Sequence, residues 1–346
     1  MDLSTSYLGL RLAHPFMAGA SPLSASVDGA RRLEQAGSSA IVLPSLFEEG
    51  TRHGAAAVRS FYGDRDPSLD VPTIPAATAL GLSPHEYLTH LGKVKKAVKV
   101  PVIASLNGTC PGPWISYATS MEKEGADAIE LNLYHFPTES WDPAQAAELR
   151  MFDLIRSVKS AVKIPIAVKL SPFYTSLPHF ARGLGEAGAG AILIFNRFYQ
   201  ADVDPERLMA IRTLEFSTSS ELLLRLRWLG VLYGKVGSSL GVTGGVHTPI
   251  DAVKAILSGA QIVQVVSAIL ERGVGVLSDL RRGAEEWFRG HGYSSLEAAR
   301  GKVSLLRAPD PRAFERRNYI YNLDSWFGPV AESMREPAGA EAEKPR

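Results

Sequence analysis

Eight short apolar runs, each followed by a longer stretch of helical periodicity, constrain this chain more than any other feature. The runs cover residues 16–18, 40–43, 102–105, 128–131, 166–170, 191–195, 240–243 and 262–266. They are apolar almost without alternation, as expected for parallel strands covered on both faces. Helical patterns fall between them at 30–37, 87–99, 115–125, 143–162, 180–188, 221–235 and 249–259, with an eighth over 274–290. Eight alternations of this kind predict an α/β fold, a closed (β/α)8 TIM barrel. An open doubly wound sheet shares the periodicity. No GxGxxG follows the first strand, however, which counts against a Rossmann domain.

The links repeat one phrase: EQAGSSAIV, EKEGADAIE, GEAGAGAIL, ILSGAQIVQ. Each has a glycine where a helix ends, which supplies a left-handed C-cap. VKVPVIAS and VKIPIAVK place proline at a strand entrance, where its missing N–H costs little. Two strand-to-helix links are long, residues 45–86 and 196–220. Such loops cover the carboxyl face of a barrel, where ligands bind. One barrel is expected over 1–330. The polar, Ala-, Glu- and Pro-rich residues 331–346 are expected to be a disordered tail.

Composition removes several classes of function. Basic and acidic residues balance, 37 against 36, and no basic stripe with aromatics interrupts them. A nucleic-acid partner is therefore not expected. A single cysteine, Cys110, excludes an internal disulfide and argues against a thiolate metal or iron–sulfur site. The first residues lack the basic-then-apolar pattern of a signal peptide. No run of about 20 apolar residues could span a membrane. A cytoplasmic protein with a small-molecule substrate is the expectation.

Polar residues gather at the strand ends. The seventh strand runs into Thr243-Gly244-Gly245-Val246-His247-Thr248-Pro249-Ile250-Asp251, and the eighth ends near Val266-Ser267. Glycines let backbone N–H groups approach a ligand, and Thr248, Pro249 and Asp251 suit a helix start. Loops after strands seven and eight are where many barrels hold phosphate. The same Gly-Gly would also serve a plain tight turn. Strand four ends at Asn132, strand five at Lys169 and strand six at Asn196. Lys169 closes an apolar strand, so it meets an anion or polar ligand, an internal ion-pair partner, or solvent at the rim. Asn132 and Asn196 suit either ligand contact or loop capping.

HPFMAGASP, IELNLYHFP, VKLSP, IFNRF, VTGGVHTPIDAVKAILSGA and VQVVSAIL, in this order over residues 7–275, resemble the dihydroorotate dehydrogenase family of FMN-dependent barrels. The resemblance implies FMN as cofactor, with Ala20, Ser21, Ser45, Asn132, Lys169 and Asn196 around the flavin. Gly244, Gly245, Val266 and Ser267 would hold its phosphate. Lys169 would stabilise the reduced ring. The implied chemistry is oxidation of a C–C bond beside a carbonyl in a pyrimidine-like molecule, with a base removing the proton. A homo-oligomer, such as a dimer, is implied as well.

The substrate half departs from the family pattern. Pro44 replaces a lysine before Ser45, and His135 stands where the family has a Cys or Ser base. Pro137 replaces an asparagine, and the segment from Thr78 to Leu82 lacks another. His135 is the candidate base, since imidazole titrates near neutrality. Tyr134 and Cys110 are weaker candidates. Two other functions remain open. One is a phosphate-binding aldolase or isomerase using Lys169 as a Schiff base; the other is a non-catalytic flavin-binding relative.

Overall fold

The computed structural model of the chain describes residues 1–47, 83–107, 111–133, 138–196, 202–211, 215–314, 319–320 and 323. A hairpin of β1 (Thr5–Tyr7) and β2 (Leu10–Leu12) comes first. The barrel strands are β3 (Phe16–Ala18), β4 (Ile41–Phe47), β5 (Val102–Asn107), β6 (Ala128–Leu133), β7 (Ile166–Leu170) and β8 (Ala191–Ile194). After a second hairpin, β9 (Asp202–Asp204) and β10 (Met209–Ile211), come the last two barrel strands, β11 (Ser239–Thr243) and β12 (Ile262–Val265). Helices α1 (Val27–Gln35), α2 (Pro84–Ala97), α3 (Pro111–Lys123), α4 (Ala144–Ala161) and α5 (Leu177–Glu186) follow β3 to β7 in turn. They continue as α6 (Leu222–Leu232), α7 (Pro249–Ser258), α8 (Ser267–Arg272), α9 (Val276–Gly290) and α10 (Leu296–Ala299).

The barrel strands pair in parallel and close in the order β11-β12-β3-β4-β5-β6-β7-β8. Closure settles the choice between barrel and open sheet. All eight apolar runs are barrel strands, and β4, β5 and β6 extend two to four residues further toward the carboxyl face than the apolar runs do. The extra residues are polar or interrupted, which is why apolar content alone stops short of them. The glycine of each repeated link phrase, at Gly37, Gly125, Gly188 and Gly259, has positive φ. Pro101 and Pro165 lack an N–H, but their carbonyls accept from Ile41 and Ile129 of the neighbouring strands. Residues 331–346 lie outside the described residues.

Strand alternation of period two sorts the barrel interior into levels. Met17, Val42, Ile103, Ala128, Ala167, Ala191 and Ile262 form an apolar cluster inside the barrel. Tyr7, Leu8 and Leu12 of the first hairpin join it and plug the amino-terminal end. Two residues further along the strands come Glu130, Lys169 and Gln264, all buried. One further step brings Asn132 at the mouth. A separate and larger apolar cluster fills the space between strands and helices.

The seam between β3 and β4 has one paired position, Ala18 with Ile41. Serine hydroxyls complete it. Ser38 Oγ accepts from Ala18 N at 2.8 Å and donates to the Ala40 carbonyl at 2.6 Å, while Ser39 Oγ donates to the Phe16 carbonyl at 2.7 Å. The small residues of the phrase QAGSSAIV are therefore part of the barrel seam. Ser38→Ala strands a buried N–H and a buried carbonyl, a loss of about 1–3 kcal/mol. Urea denaturation should show a lower midpoint at unchanged slope; an unaltered midpoint would remove the hydroxyl from the seam's energetics.

Candidate functional site

Lys169 enters the barrel from β7 and is buried. Its Nζ lies 3.4 Å from Glu130 Oε1 on β6 and 3.4 Å from Gln264 Oε1 on β12. Gln264 Nε2 donates to the other Glu130 oxygen at 2.5 Å. Glu130 has no exposed surface, and its two carboxyl oxygens face the lysine and the amide. Of the settings open to Lys169 from the sequence, the internal ion pair is therefore present. Beneath this network, burial pushes the Tyr7 hydroxyl to a high pKa and the Glu130 charge adds to the shift.

Nearer the mouth, Asn132 Nδ2 donates to Ser45 Oγ at 2.9 Å and to Ser105 Oγ at 3.1 Å, and the two hydroxyls share a bond of 2.8 Å. Ser45 reaches this position through a break in register between Val42 and Ser45, where Pro44 sits. Val42 and Ser45 are an odd number of residues apart yet both face inward, and a bulge absorbs the difference. Proline has no N–H to lose there. On the outer side of β5, the Tyr87 hydroxyl of α2 accepts from Ser105 N at 2.9 Å and donates to Ser105 O at 3.3 Å. The helix thus fixes the serine that helps hold Asn132. Two buried polar atoms here, Asn132 Oδ1 and Ser21 Oγ, have no hydrogen-bond partner among the described residues.

The Gly-Gly turn follows β11. Gly244 and Gly245 have φ of +79° and +81°. A Cβ on Gly244 would lie 2.8 Å from Arg225 Nη2, and one on Gly245 would lie 2.7 Å from the Leu222 backbone nitrogen. Both conformation and space demand glycine, because the turn packs against the start of α6. Gly245 N donates to Ser217 Oγ at 3.1 Å, and Ser217 N donates to Ser267 Oγ at 3.1 Å. The Ser217 hydroxyl is also 3.2 Å from His247 Nε2, whose Nδ1 is 3.4 Å from Glu271. Thr248 and Asp251 form the capping box of α7. Burial raises the Asp251 pKa, but hydrogen bonds from Ser219 and from the His247 and Thr248 N–H groups outweigh it and hold the carboxyl low.

Most sequence-derived candidates thus fall at the carboxyl ends of the strands. Asn132 and Ser45 are in direct contact, and Lys169 pairs with Asn132 in register on the adjacent strand. Gly245 and Ser267 meet through Ser217. Val266 abuts Gly19, where a Cβ would come within 2.8 Å of its methyl group. Ala20 packs on the interior cluster, and Asn196 is placed by its N–H to the Leu170 carbonyl at 2.7 Å. His135, Tyr134, Pro137, Cys110 and the segment from Thr78 to Leu82 lie outside the described residues. Glu130, Ser105, Gln264 and Ser217 were not singled out in the sequence. The signal for the first three was present, since each is a polar residue inside an apolar strand.

A closed (β/α)8 barrel with buried polar levels and a glycine turn at its carboxyl face defines a barrel enzyme with its site at the mouth. The chain matches the dihydroorotate dehydrogenase family over residues 3–287 and belongs to that family. It is accordingly an oxidoreductase acting on CH–CH groups, and membership implies a flavin cofactor. Relatives cover nearly all of the barrel. A Methanothermobacter thermautotrophicus protein named dihydroorotate dehydrogenase B (NAD(+)), catalytic subunit, is 29% identical over 303 residues, 85% of this chain and 96% of its own. An Aeropyrum pernix protein, named provisionally as dihydroorotate dehydrogenase A (fumarate), is 28% identical over 308 residues, 86% of this chain and 95% of its own. A Thermoplasma volcanium protein with the former name is 26% identical over 286 residues, 81% and 91% of the two chains.

The ion pair supplies the prediction of this section. Glu130→Ala leaves the Lys169 ammonium buried beside a neutral amide, which should cost about 3–5 kcal/mol. The check is urea denaturation of the flavin-free protein. Stability within about 1 kcal/mol of the parent would show that Lys169 does not depend on the carboxylate.

Proposed function

We propose that this chain is an FMN-dependent oxidoreductase that oxidises or reduces a C–C bond next to a carbonyl in a pyrimidine-like or related small molecule. The observation that carries this is the division of the barrel mouth. One part holds a buried cation and an asparagine whose acceptor has no partner among the described residues; the other holds a glycine turn and two serines. The flavin ring suits the first part and its phosphate the second. Asn132 Oδ1 and Ser21 Oγ, buried without partners among the described residues, offer hydrogen bonding that a flavin ring or ribityl chain can use.

In this reading Gly244, Gly245, Val266 and Ser267 hold the phosphate, joined by Ser217. Ala20, Ser21, Ser45, Asn132 and Asn196 contact the ring and ribityl chain. When bound, FMN supplies the redox chemistry by exchanging a hydride with the substrate carbon. Lys169, kept in place by Glu130 and Gln264, offers its charge to the side of the ring where negative charge develops on reduction. His135, two residues beyond the end of β6, is the base that takes or returns the substrate proton. The replaced positions Pro44, Pro137 and Thr78 to Leu82 turn the substrate away from dihydroorotate itself.

The relatives named NAD(+) catalytic subunits bring a further element to the proposal: electrons leave through a soluble acceptor or a partner subunit. No helix among the described residues is long and apolar enough to cross a membrane. Schiff-base chemistry needs a neutral amine. The ion pair of Lys169 with Glu130 therefore favours the flavin reading over an aldolase.

Purified protein should be yellow, with a flavin spectrum that bleaches on anaerobic addition of dihydrouracil, dihydroorotate or a related donor. Colourless protein that FMN does not reconstitute would overturn the proposal. Lys169→Ala should slow flavin reduction by roughly 100-fold or more, the scale of losing one group that stabilises developing charge. Reduction at the parent rate would remove Lys169 from the mechanism.

A further inference from the structure

We propose that His247, backed by Glu271, is the positioning residue that turns the Ser217 hydroxyl toward a phosphate, so that the phosphate and a proton on the imidazole bind together. The proposal rests on the FMN reading above.

Ser217 is buried at the centre of the donor set around the glycine turn. Its N–H donates to Ser267 Oγ at 3.1 Å, and its own Oγ accepts from Gly245 N at 3.1 Å. The next polar neighbour of that oxygen among the described residues is His247 Nε2, at 3.2 Å. The His247 side chain is 13% exposed, and its Nδ1 lies 3.4 Å from Glu271 Oε2 on α8. Arg272 of the same helix donates to the His247 carbonyl, and Asp251 of α7 accepts from the His247 N–H at 3.1 Å. The backbone is thus held from both sides, with the ring between Ser217 and Glu271.

The direction of the Ser217–His247 bond depends on one proton. A carboxylate only accepts, so Glu271 keeps a proton on Nδ1 in both charge states of the ring. The neutral ring therefore presents a bare Nε2, which accepts the single hydroxyl proton of Ser217. Ser217 then has no proton left for a ligand. A ring that has taken a proton from solvent presents Nε2–H instead. The Ser217 oxygen then accepts from both Gly245 and His247, and its own proton is released to an anion. Ser267 stands outside this exchange, because its Oγ accepts from Ser217 N in either state. A phosphate oxygen without a proton can only accept, so it gains from the exchange. The terminal hydroxyl of riboflavin can donate as well as accept and needs no such proton.

The charged groups on the elements around this ring are Glu271 and Arg272 on α8, Asp251 on α7, and Arg225 with Glu221 at the start of α6, where Arg225 lies against Gly244. On α9, which meets Pro249 through Gly283, Arg282 and Glu285 pair within their own helix. The carboxylate at the ring itself is that of Glu271. The orientation of one hydroxyl, rather than the sum of these charges, carries the preference.

The test titrates flavin-stripped parent and His247→Gln with FMN and with riboflavin, which lacks the phosphate, across about pH 5.5 to 8.5. The amide of the variant does not titrate, and the ligand phosphate titrates alike for both proteins, so the parent-to-variant ratio isolates the imidazole. For FMN that ratio should fall about threefold to tenfold as the pH rises, the worth of one hydrogen bond. For riboflavin it should stay within about twofold. A constant ratio for FMN, or an equal fall for riboflavin, overturns the proposal. Ser217→Ala should show the pH profile of His247→Gln; the parent's profile in Ser217→Ala means that the imidazole acts through space and overturns the proposal. Should either variant fail to fold, nitrogen NMR of histidine-labelled parent decides. At about pH 7, FMN should move one ring toward the doubly protonated form, and riboflavin should not. No such shift, or the same shift with riboflavin, overturns the proposal. A parent that binds neither ligand, or both equally at every pH, overturns the FMN reading and takes His247 with it. A parent that prefers FMN with a constant parent-to-variant ratio overturns His247 alone.

Discussion

A carboxylate and an ammonium buried together inside the barrel set the terms for the rest of this molecule. Glu130 has no exposure and Lys169 almost none, so neither charge can be stable without the other and without further donors. Gln264 serves both, with its amide NH2 on the carboxylate and its carbonyl toward the lysine. The three residues come from β6, β7 and β12, which are distant in sequence. Only a closed barrel with the correct register brings them to one level, and in that sense the network depends on the whole fold.

The levels above and below follow from the same alternation. Below lie small and branched apolar side chains with the Tyr7 hairpin as a plug. Above lies Asn132, oriented by Ser45 and Ser105. This ladder runs from dry to polar over a few residues of each strand, and it ends where a ligand would enter. Beside it, the Gly-Gly turn, Ser217 and Ser267 form a second set of donors. In the proposed reading, a ligand with a polar ring and a phosphate would meet both sets at once. A sugar phosphate would fill only the second and offer nothing to Asn132 Oδ1 and Ser21 Oγ, which have no partner among the described residues.

Much of this was legible in the sequence, for identifiable reasons. Buried parallel strands announce themselves as apolar runs, and glycine at a helix end marks each link, so the barrel could be read residue by residue. Lys169, Asn132 and the Gly-Gly turn stood out because polar residues or paired glycines interrupt apolar surroundings. The partners were harder to see. Glu130 and Gln264 interrupt strands in the same way, but their pairing is a matter of register across the sheet. Ser45 faces inward only because of the break at Pro44, which inverts the expected alternation. Ser217 sits in a serine-rich stretch where no pattern distinguishes one serine from the next. Arg225 shares a helical face with Leu222, Leu229 and Leu232, and a charge on that apolar stripe was the available sign of burial. The short α8 and both hairpins were missed because three to six residues carry too little periodicity to read.

The central claim is that one flavin mononucleotide lies across both donor sets. A crystal structure of the chain with FMN tests it most directly. The phosphate should lie between Gly245 and Ser267, displacing or joining the Ser217 hydroxyl, and the ring should lie over Asn132 with its pyrimidine edge toward Lys169. A flavin bound elsewhere, or one with its phosphate away from the Gly244–Gly245 turn, would contradict it.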